Sequence, residues 1–206
     1  MPMHHMLYLC PRCGHDPLMA VERRAECRSC GTVFERGMGA SILVKTPGKP
    51  IRISTAKDLI EATETVVTAS CDACIEKGSS IHQARVAIGH ARGQHVVRFD
   101  DRVLGFCERI KSEEEGILRL DSDHLTLLAE GSDPRVWSFD AIGAIQISAQ
   151  AIQINLPRRG LYQFEFLEDS PKRWEDLIQF ALRHFYAARG RVVVQFQPQI
   201  VTEDLP

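Results

Sequence analysis

The second half of the chain is built from short runs in which apolar and polar residues alternate. From Gly116 onwards these runs are "GILRL", "HLTLLA", "RVWSF", "AIQIS", "AIQINL" and "LYQFEFL". A period of two puts alternate side chains on one face of a β-strand. Turn-forming stretches such as "EGSDP" and "PRRG" separate the runs, and connections this short join antiparallel neighbours. The pattern therefore predicts an antiparallel sheet, to which "HVVRF" and "RVLGFCERI" add one or two further strands.

Residues 170–190 have the pattern of one amphipathic helix. Ser170 is the expected N-cap, Pro171 occupies the first helical position, and Gly190 ends the helix. Apolar residues three or four positions apart form a continuous stripe: Trp174, Leu177, Ile178, Ala181, Leu182 and Phe185. Such a stripe requires an apolar partner, so we expect this helix to cover an open sheet face or the end of a barrel. Residues 191–206 then provide an extra strand, "RVVVQFQP", and a tail.

Residues 38–93 carry a weaker pattern. The stretch "ASILVKTPGKPIRIST" predicts a hairpin around "PGKP". The following stretch, "KDLIEATETVVTASC", fits a helix but also contains the candidate strand "TVVTA", and its periodicity does not choose between them. We therefore interpret this segment as an α/β connection that either joins the N-terminal part of the chain to the later β domain or belongs to that second domain.

Four of the seven cysteines lie in two matched Cys-x-x-Cys-Gly sequences, "CPRCG" and "CRSCG", which we call the first and second knuckle. The candidate ligands are Cys10, Cys13, Cys27 and Cys30. Four thiolates at tetrahedral corners suit zinc, and Gly14 and Gly31 permit the positive φ that a tight turn needs. A piece of about 35 residues is too small to fold on apolar burial alone, so a bound metal would supply the missing stability.

With the flanking runs "LYL", "LMAV" and "TVF" as short strands, residues 7–36 resemble a zinc ribbon, and we assign residues 1–37 to that domain. The resemblance implies one structural Zn²⁺, because four cysteines close the coordination shell. Iron in a rubredoxin-like site is the alternative, since the same sulfurs accept it. Zinc ribbons bind nucleic acid, bind proteins or brace a neighbouring domain. Here five arginines alternate with four acidic residues, a mixed surface that does not favour nucleic acid.

The later strands and their helix resemble a pleckstrin-homology-like domain of the GRAM type over residues 94–190. The stretch "GILRLDSDHLTLL", a tryptophan-bearing strand and "AIGAIQIS" carry this likeness. It implies a mainly β (α+β) protein, in which a small zinc ribbon precedes an antiparallel β-barrel or roll closed by a C-terminal amphipathic helix. A generic β-sandwich or roll with one helix is the rival interpretation.

The same resemblance bears on the partner. Lipid-binding members of this superfold carry a basic cluster on the first two strands and their loop, whereas this chain reads "ERIKSEEEG" there. The glutamates would repel an anionic phosphoinositide headgroup. We therefore expect a protein partner, with a membrane lipid or nucleic acid as the alternatives.

A second Cys-x-x-Cys, "CDAC", has three interpretations. Cys71 and Cys74 share one face of a helix, where both thiols can simply be buried. They form a second metal site if His82 joins them, or His90 or His95 in its place. They form a thioredoxin-type redox pair only in a βαβ context, which the flanking sequence lacks.

Composition and charge limit the remaining functions. The chain has 206 residues and a formal net charge of −2, so no overall basic field attracts nucleic acid or anionic lipid. Its first residues have neither a basic flank nor a long apolar run, so we expect a cytoplasmic protein with reduced cysteines. Cys107 falls in an apolar strand and is expected in the core. Because the common catalytic motifs are missing, we expect a non-catalytic binding or adaptor protein rather than an enzyme.

Overall fold

The computed structural model describes residue 3 and residues 6–147, 151–157, 160–196 and 199–205, apart from the side chains of residues 106, 107, 112 and 113. The described chain is mainly β, with antiparallel sheets and two α-helices. It forms two compact units, Met1–Lys77 (unit 1) and Gly78–Pro206 (unit 2). The division falls inside residues 38–93, because residues 38–77 belong to the same unit as the knuckles and residues 78–93 belong to unit 2.

Unit 1 contains a five-stranded antiparallel sheet whose strands follow chain order. They are β1 Met19–Ala20, β2 Arg24–Glu26, β3 Val33–Arg36, β4 Ser41–Lys45 and β5 Arg52–Thr55. The hairpin predicted around "PGKP" is confirmed, because β4 pairs with β5 from Ser41↔Thr55 to Val44↔Arg52. Since β4 also pairs with β3, this hairpin belongs to the same sheet as the strands around the knuckles.

Residues 7–9 differ from the strand that "LYL" predicts. They follow a turn in which Leu7 N–H donates to the Met3 carbonyl at 2.8 Å, and Leu18 N–H donates to the Tyr8 carbonyl at 2.9 Å. The segment is held between this turn and the first knuckle, which leaves little length for a ladder. All three side chains are buried, so the segment contributes to the core.

Helix α1, Ala56–Glu76, occupies the stretch that the sequence pattern allowed to be either a helix or a strand. A capping box begins it: Asp58 N–H donates to Thr55 Oγ1 at 3.2 Å, and Thr55 N–H donates to Asp58 Oδ2 at 2.9 Å. The "TVVTA" run lies inside this helix. Its buried residues recur every four positions: Leu59, Thr63, Val67 and Cys71. That spacing defines one buried helical face and overrides the strand preference of the β-branched residues.

The core of unit 1 includes two knuckle cysteines. Cys10 and Cys27 are both fully buried. They share one cluster with side chains of the N-terminal segment, the sheet and α1: Met3, Met6, Leu7, Leu18, Ala25, Phe34, Ile42 and Leu59. Half of the knuckle sulfurs are thus part of the core rather than attached to its surface.

Unit 2 contains a seven-stranded antiparallel sheet. Its strands are β6 His82–Phe99, β7 Arg102–Leu120, β8 His124–Ala129, β9 Arg135–Ser138, β10 Ala144–Ile147, β11 Ala151–Leu156 and β12 Gly160–Phe166. Consecutive strands pair except β9 and β10, and β12 returns to pair with β6, which gives the order β10-β11-β12-β6-β7-β8-β9. Of the two expected forms, a barrel or a roll, the barrel is wrong: the described strands form an open sheet in which β9 and β10 are the two edge strands, with the 3-10 turn Phe139–Ala141 between them in the chain.

The β6–β7 hairpin is much longer than the strands predicted for it. β6 begins at His82, ahead of residue 94, where the predicted second domain starts. The chain turns at Asp100, which has φ 51°. Val86 and Ile88 are buried, whereas residues 92–99 are all exposed. The outer part of this hairpin therefore has no cover within the described chain.

Helix α2, Pro171–Ala187, lies within the predicted interval 170–190 and begins after Ser170. All six residues of the predicted stripe are buried. Phe166 stacks on Trp174 with the ring centroids 5.0 Å apart, and α2 also contacts β10 and β11. The apolar stripe therefore packs on the unit 2 sheet. Neither helix of the described chain combines the length and the hydropathy needed to cross a bilayer.

After α2 the chain forms a separate two-stranded sheet. β13, Arg191–Gln195, is the predicted extra strand, and it pairs with β14, Val201–Asp204. The "VTED" sequence of β14 has no apolar alternation that would predict a strand. The partner of β13 therefore comes from the segment that was expected to be a tail.

Candidate metal centre

Both knuckles close with the same backbone hydrogen bond. Gly14 N–H donates to the Cys10 carbonyl at 2.8 Å, and Gly31 N–H donates to the Cys27 carbonyl at 2.9 Å. Gly14 has φ 71° and Gly31 has φ 65°, a left-handed conformation that residues with a side chain rarely adopt. The glycine that follows each second cysteine therefore lets the chain bend back behind the two sulfurs.

A second backbone bond fixes the first cysteine of each knuckle. Cys10 N–H donates to the His15 carbonyl and Cys27 N–H donates to the Thr32 carbonyl, both at 2.9 Å. The two knuckles thus repeat one hydrogen-bond pattern at equivalent positions. The matching backbone bonds place the cysteines of the two knuckles at equivalent positions of the same turn.

The four Sγ atoms converge on one point. They all lie within 4.8 Å of one another, with Cys10 Sγ 3.7 Å from Cys30 Sγ and Cys13 Sγ 3.5 Å from Cys27 Sγ. A tetrahedron with Zn–S bonds of about 2.3 Å has S···S edges of about 3.8 Å. Disulfide sulfurs lie at about 2.05 Å, so these pairs are free thiols. The spacing suits a single metal ion held by four sulfurs.

Thr32 forms a polar contact beside this cluster. Its side chain is fully buried, and its Oγ1 lies 3.2 Å from Cys30 Sγ. Arg12 Nη1 donates to the same oxygen at 3.2 Å, and Thr46 Oγ1 lies 3.3 Å from it. Groups that hydrogen-bond to a ligand orient it and tune its affinity for metal. No sequence motif marks Thr32, because its contacts with Arg12 and Thr46 join residues that are distant in the chain.

Burial and hydrogen bonding act differently on the four thiols. Burial raises the pKa of Cys10 to about 12 and also raises the pKa of Cys27. Burial acts in the same direction on Cys30, but hydrogen bonds with Thr32, Cys27 and Cys13 together outweigh it and lower the pKa of Cys30 to about 6. Buried thiols ionise fully only when a cation compensates the thiolate charge. The donor set therefore fits a divalent, thiolate-binding metal.

The second Cys-x-x-Cys has different surroundings. Cys71 is buried on α1, and burial raises the pKa of its thiol to about 12. Cys74 is half-buried one turn further along. His82 begins β6 in unit 2, and its Nε2–H donates to Asp169 Oδ2 at 2.7 Å. Burial on a helix face accounts for Cys71 without a metal.

Among the described residues, only the knuckle cysteines form a group of three or more His, Cys, Asp or Glu with ligand atoms this close together. His90 and His95, the other histidines considered for a second site, lie on β6 like His82. The side chain of Cys107 lies outside the described residues.

No protein-family model matches the chain, and no curated protein matches it. The interpretation of the site therefore depends on its own geometry.

Proposed function

We propose that the knuckle cysteines hold one structural Zn²⁺ in a zinc ribbon, and that this ribbon supports a protein-interaction module in a non-catalytic adaptor protein. The observation that carries the proposal is the approach of four Sγ atoms to within 4.8 Å from two equivalent knuckles. Four sulfurs complete a tetrahedral shell, so no position is left for a substrate or a catalytic water. The ion would then contribute folding free energy rather than chemistry. Iron is the alternative metal for the same sulfurs.

Unit 2 is the proposed interaction module, of the pleckstrin-homology-like and GRAM-like type. In support, seven antiparallel strands follow one another, the first strand pairs with the last, and α2 packs its apolar stripe against them. With β6 as its first strand, the module begins at His82 rather than at residue 94.

Charges on β7 favour a protein partner over an anionic lipid. Glu115 pairs with Arg85 at 3.1 Å, and Glu114 pairs with Arg135. These glutamates neutralise two arginines that would otherwise attract a phosphorylated headgroup. A peripheral membrane module linked to lipid metabolism is the first alternative function, and a nucleic-acid-associated zinc-ribbon factor is the second.

Metal analysis combined with chelation tests the proposal. We expect about one tightly held zinc per purified chain, and we expect EDTA to abolish the dispersed ¹H–¹⁵N amide signals of residues 7–36. A chain without tightly held metal, or a ribbon that stays ordered after complete metal removal, would contradict it. Iron would be recognised in the same metal analysis.

Two further assays separate the alternative functions. Co-sedimentation with vesicles that contain phosphatidylserine and phosphoinositides is expected to leave the protein in the supernatant. An electrophoretic shift assay with DNA and RNA at two salt concentrations is expected to show no salt-sensitive complex. Vesicle binding would favour the lipid function, and a salt-sensitive complex would favour the nucleic-acid function.

A further inference from the structure

Unit 1 contains an open groove of about 540 Å³ next to the first knuckle. Its walls come from the first knuckle, the sheet, the β4–β5 turn and α1. Pro11 and Arg12 of the knuckle form one wall, and Leu59 and Ala62 of α1 form another. The volume lies within the range of roughly 300–1,000 Å³ typical of ligand sites. We call this feature the knuckle groove.

The knuckle groove changes from apolar to cationic across the sheet. Phe34 on β3 lies opposite Val44 on β4, which lies opposite Arg52 on β5, and all three line the groove. Phe34 is 1% exposed. Ile51, at the mouth, is 61% exposed. The inner end therefore suits an apolar group, while the outer end is open to solvent.

Among the described residues, three cations and no acidic side chain line the knuckle groove: Arg12, Lys49 and Arg52. Lys49 forms no ion pair among the described residues. Asp58 is the acid whose charge interacts with Arg52, but its carboxylate is already engaged. It accepts from Thr55 N–H at 2.9 Å and from Ser54 Oγ at 3.2 Å at the start of α1. The groove thus offers positive charge that its own walls do not neutralise.

We propose that the knuckle groove docks an acidic peptide segment of a partner protein, with one apolar side chain at its inner end and carboxylates facing Arg12, Lys49 and Arg52. The buried Phe34 and the exposed Ile51 suit a peptide segment that remains part of a larger chain and is only partly covered by the groove. Small ligands, in contrast, are usually buried by 70–90% or more. Charge complementarity selects acidic over basic segments. The inference deepens the proposed adaptor function and depends on it, because the metal would hold the wall formed by Pro11 and Arg12.

The test uses the full zinc-loaded chain and a fluorescein-labelled eight-residue peptide with one leucine followed by glutamates. Fluorescence anisotropy measures its affinity. We expect the Lys49→Glu, Arg52→Glu double variant to weaken binding by about tenfold or more. The Arg23→Glu, Arg36→Glu double variant is the matched control, because it changes the net charge of unit 1 equally at two exposed positions outside the groove. We expect that control to bind like the wild type.

The apolar contact has its own pair of variants. Ile51→Ser is expected to weaken peptide binding several-fold, whereas Val21→Ser, which is 64% exposed in the wild type and outside the groove, is expected to leave it unchanged. Both side chains are exposed, so neither substitution threatens the fold. A peptide in which serine replaces the leucine is expected to bind more weakly to the wild type.

Four outcomes would overturn the docking proposal: no binding of the acidic peptide, equal binding of a matched lysine peptide, equal losses in both charge variants, or tighter binding of decanoate than of the peptide at the same residues. The last outcome would assign the groove to a small amphipathic anion. Metal content and amide dispersion are measured on the same samples. Docking that fails while one zinc is retained and unit 1 is ordered contradicts the groove alone, whereas a metal-free ordered unit 1 contradicts the proposed ribbon.

Discussion

The two units of the chain differ in what their cores contain. The core cluster of unit 1 has one aromatic ring, Phe34, among aliphatic side chains and methionines, and it includes the fully buried Cys10 and Cys27; Tyr8 is buried in the same unit. The buried core of unit 2 contains several large rings: Trp137, Phe139, Phe164, Trp174 and Phe185. Each buried aromatic side chain removes roughly 150–250 Å² from water. Unit 2 can therefore fold on apolar burial, whereas unit 1 has sulfur at positions where a self-sufficient core has hydrocarbon.

This difference indicates which substitutions should destabilise each unit. Unit 1 has 77 residues, close to the size below which a domain usually needs a metal or disulfides. Unit 2 has a buried carboxylate network instead, centred on Asp169 at the start of α2. Damage to the sulfur cluster should therefore unfold unit 1 alone, and damage to the Asp169 network should weaken unit 2 alone.

The largest effect is expected for Cys27→Ser. Structural zinc contributes about 10–16 kcal/mol of apparent binding free energy in small domains, so losing one ligand should unfold unit 1 at neutral pH. ¹H–¹⁵N spectra should lose the dispersed amide signals of unit 1 and keep those of unit 2. Cys74→Ser is the control and should leave both sets in place. If Cys27→Ser kept the dispersed amide signals of unit 1, the proposed dependence of unit 1 on its sulfur cluster would be wrong.

Asp169→Asn should produce the next largest effect, confined to unit 2. The Asp169 carboxylate, 6% exposed, accepts from His82 Nε2 at 2.7 Å, Arg173 Nη1 at 2.6 Å and Trp174 Nε1 at 2.9 Å. Ser170 N–H adds a bond at 2.7 Å. Removing one partner of a buried charge pair costs about 3–5 kcal/mol, so urea should unfold unit 2 of this variant at a clearly lower concentration.

A neighbouring acid provides the control for this substitution. The Glu168 side chain is 75% exposed and lies 3.9 Å from Arg85. Glu168→Gln should change the unfolding free energy of unit 2 by less than about 0.5 kcal/mol. Equal effects of the two substitutions would show that the buried network does not stabilise the start of α2.

The stability of unit 2 should also depend on pH through Asp169. Burial acts to raise the pKa of this carboxyl, but the His82 hydrogen bond, the Arg173 charge and Ser170 N–H together hold it below its usual range. Because the folded pKa is lower than the unfolded value of about 3.9, the stabilisation is complete above that value. It is lost as pH falls through the folded pKa. Urea titrations from pH 5 to pH 2 should show this loss in the wild type and a smaller one in Asp169→Asn.

Thr32→Val should have a smaller effect, on metal affinity in unit 1. The change removes the hydroxyl that lies 3.2 Å from Cys30 Sγ and keeps the side-chain volume. Loss of an outer-shell hydrogen bond typically lowers metal affinity about 10–100-fold. Competition with a chromogenic chelator measures this change, and Ser29→Ala, an exposed site in the second knuckle, is the control. Unchanged affinity in Thr32→Val would mean that the Thr32 contact is incidental.

The sequence predicts the two units unequally. The knuckles and the apolar stripe of α2 could be predicted because each is a fixed spacing of residues that are close together in the chain. The start of β6 was missed because "HQARVAIGHARG" has small and charged residues where a strand usually alternates. Helix α1 stayed ambiguous because "TVVTA" favours a strand; in the structure a capping box begins the helix and its buried residues recur every four positions. The pairing of β12 with β6 and the knuckle groove depend on residues far apart in the chain, which no local pattern reveals.

The smallest effects are expected when valine replaces one buried threonine in each unit. Thr63 Oγ1 in unit 1 and Thr126 Oγ1 in unit 2 are buried without a hydrogen-bond partner among the described residues. An unsatisfied buried hydroxyl costs about 1–3 kcal/mol, so Thr63→Val and Thr126→Val should each stabilise their own unit by about 1 kcal/mol. Thr65→Val is the control, because Thr65 is exposed and its hydroxyl donates to the Glu61 carbonyl at 2.9 Å. Urea unfolding followed by unit-specific amide signals measures all three. A gain of this size is far below the roughly 10–16 kcal/mol that structural zinc contributes in small domains, so under the proposed metal site Thr63→Val should not restore unit 1 after chelation. If it did, apolar burial rather than the ion would be what holds unit 1 together.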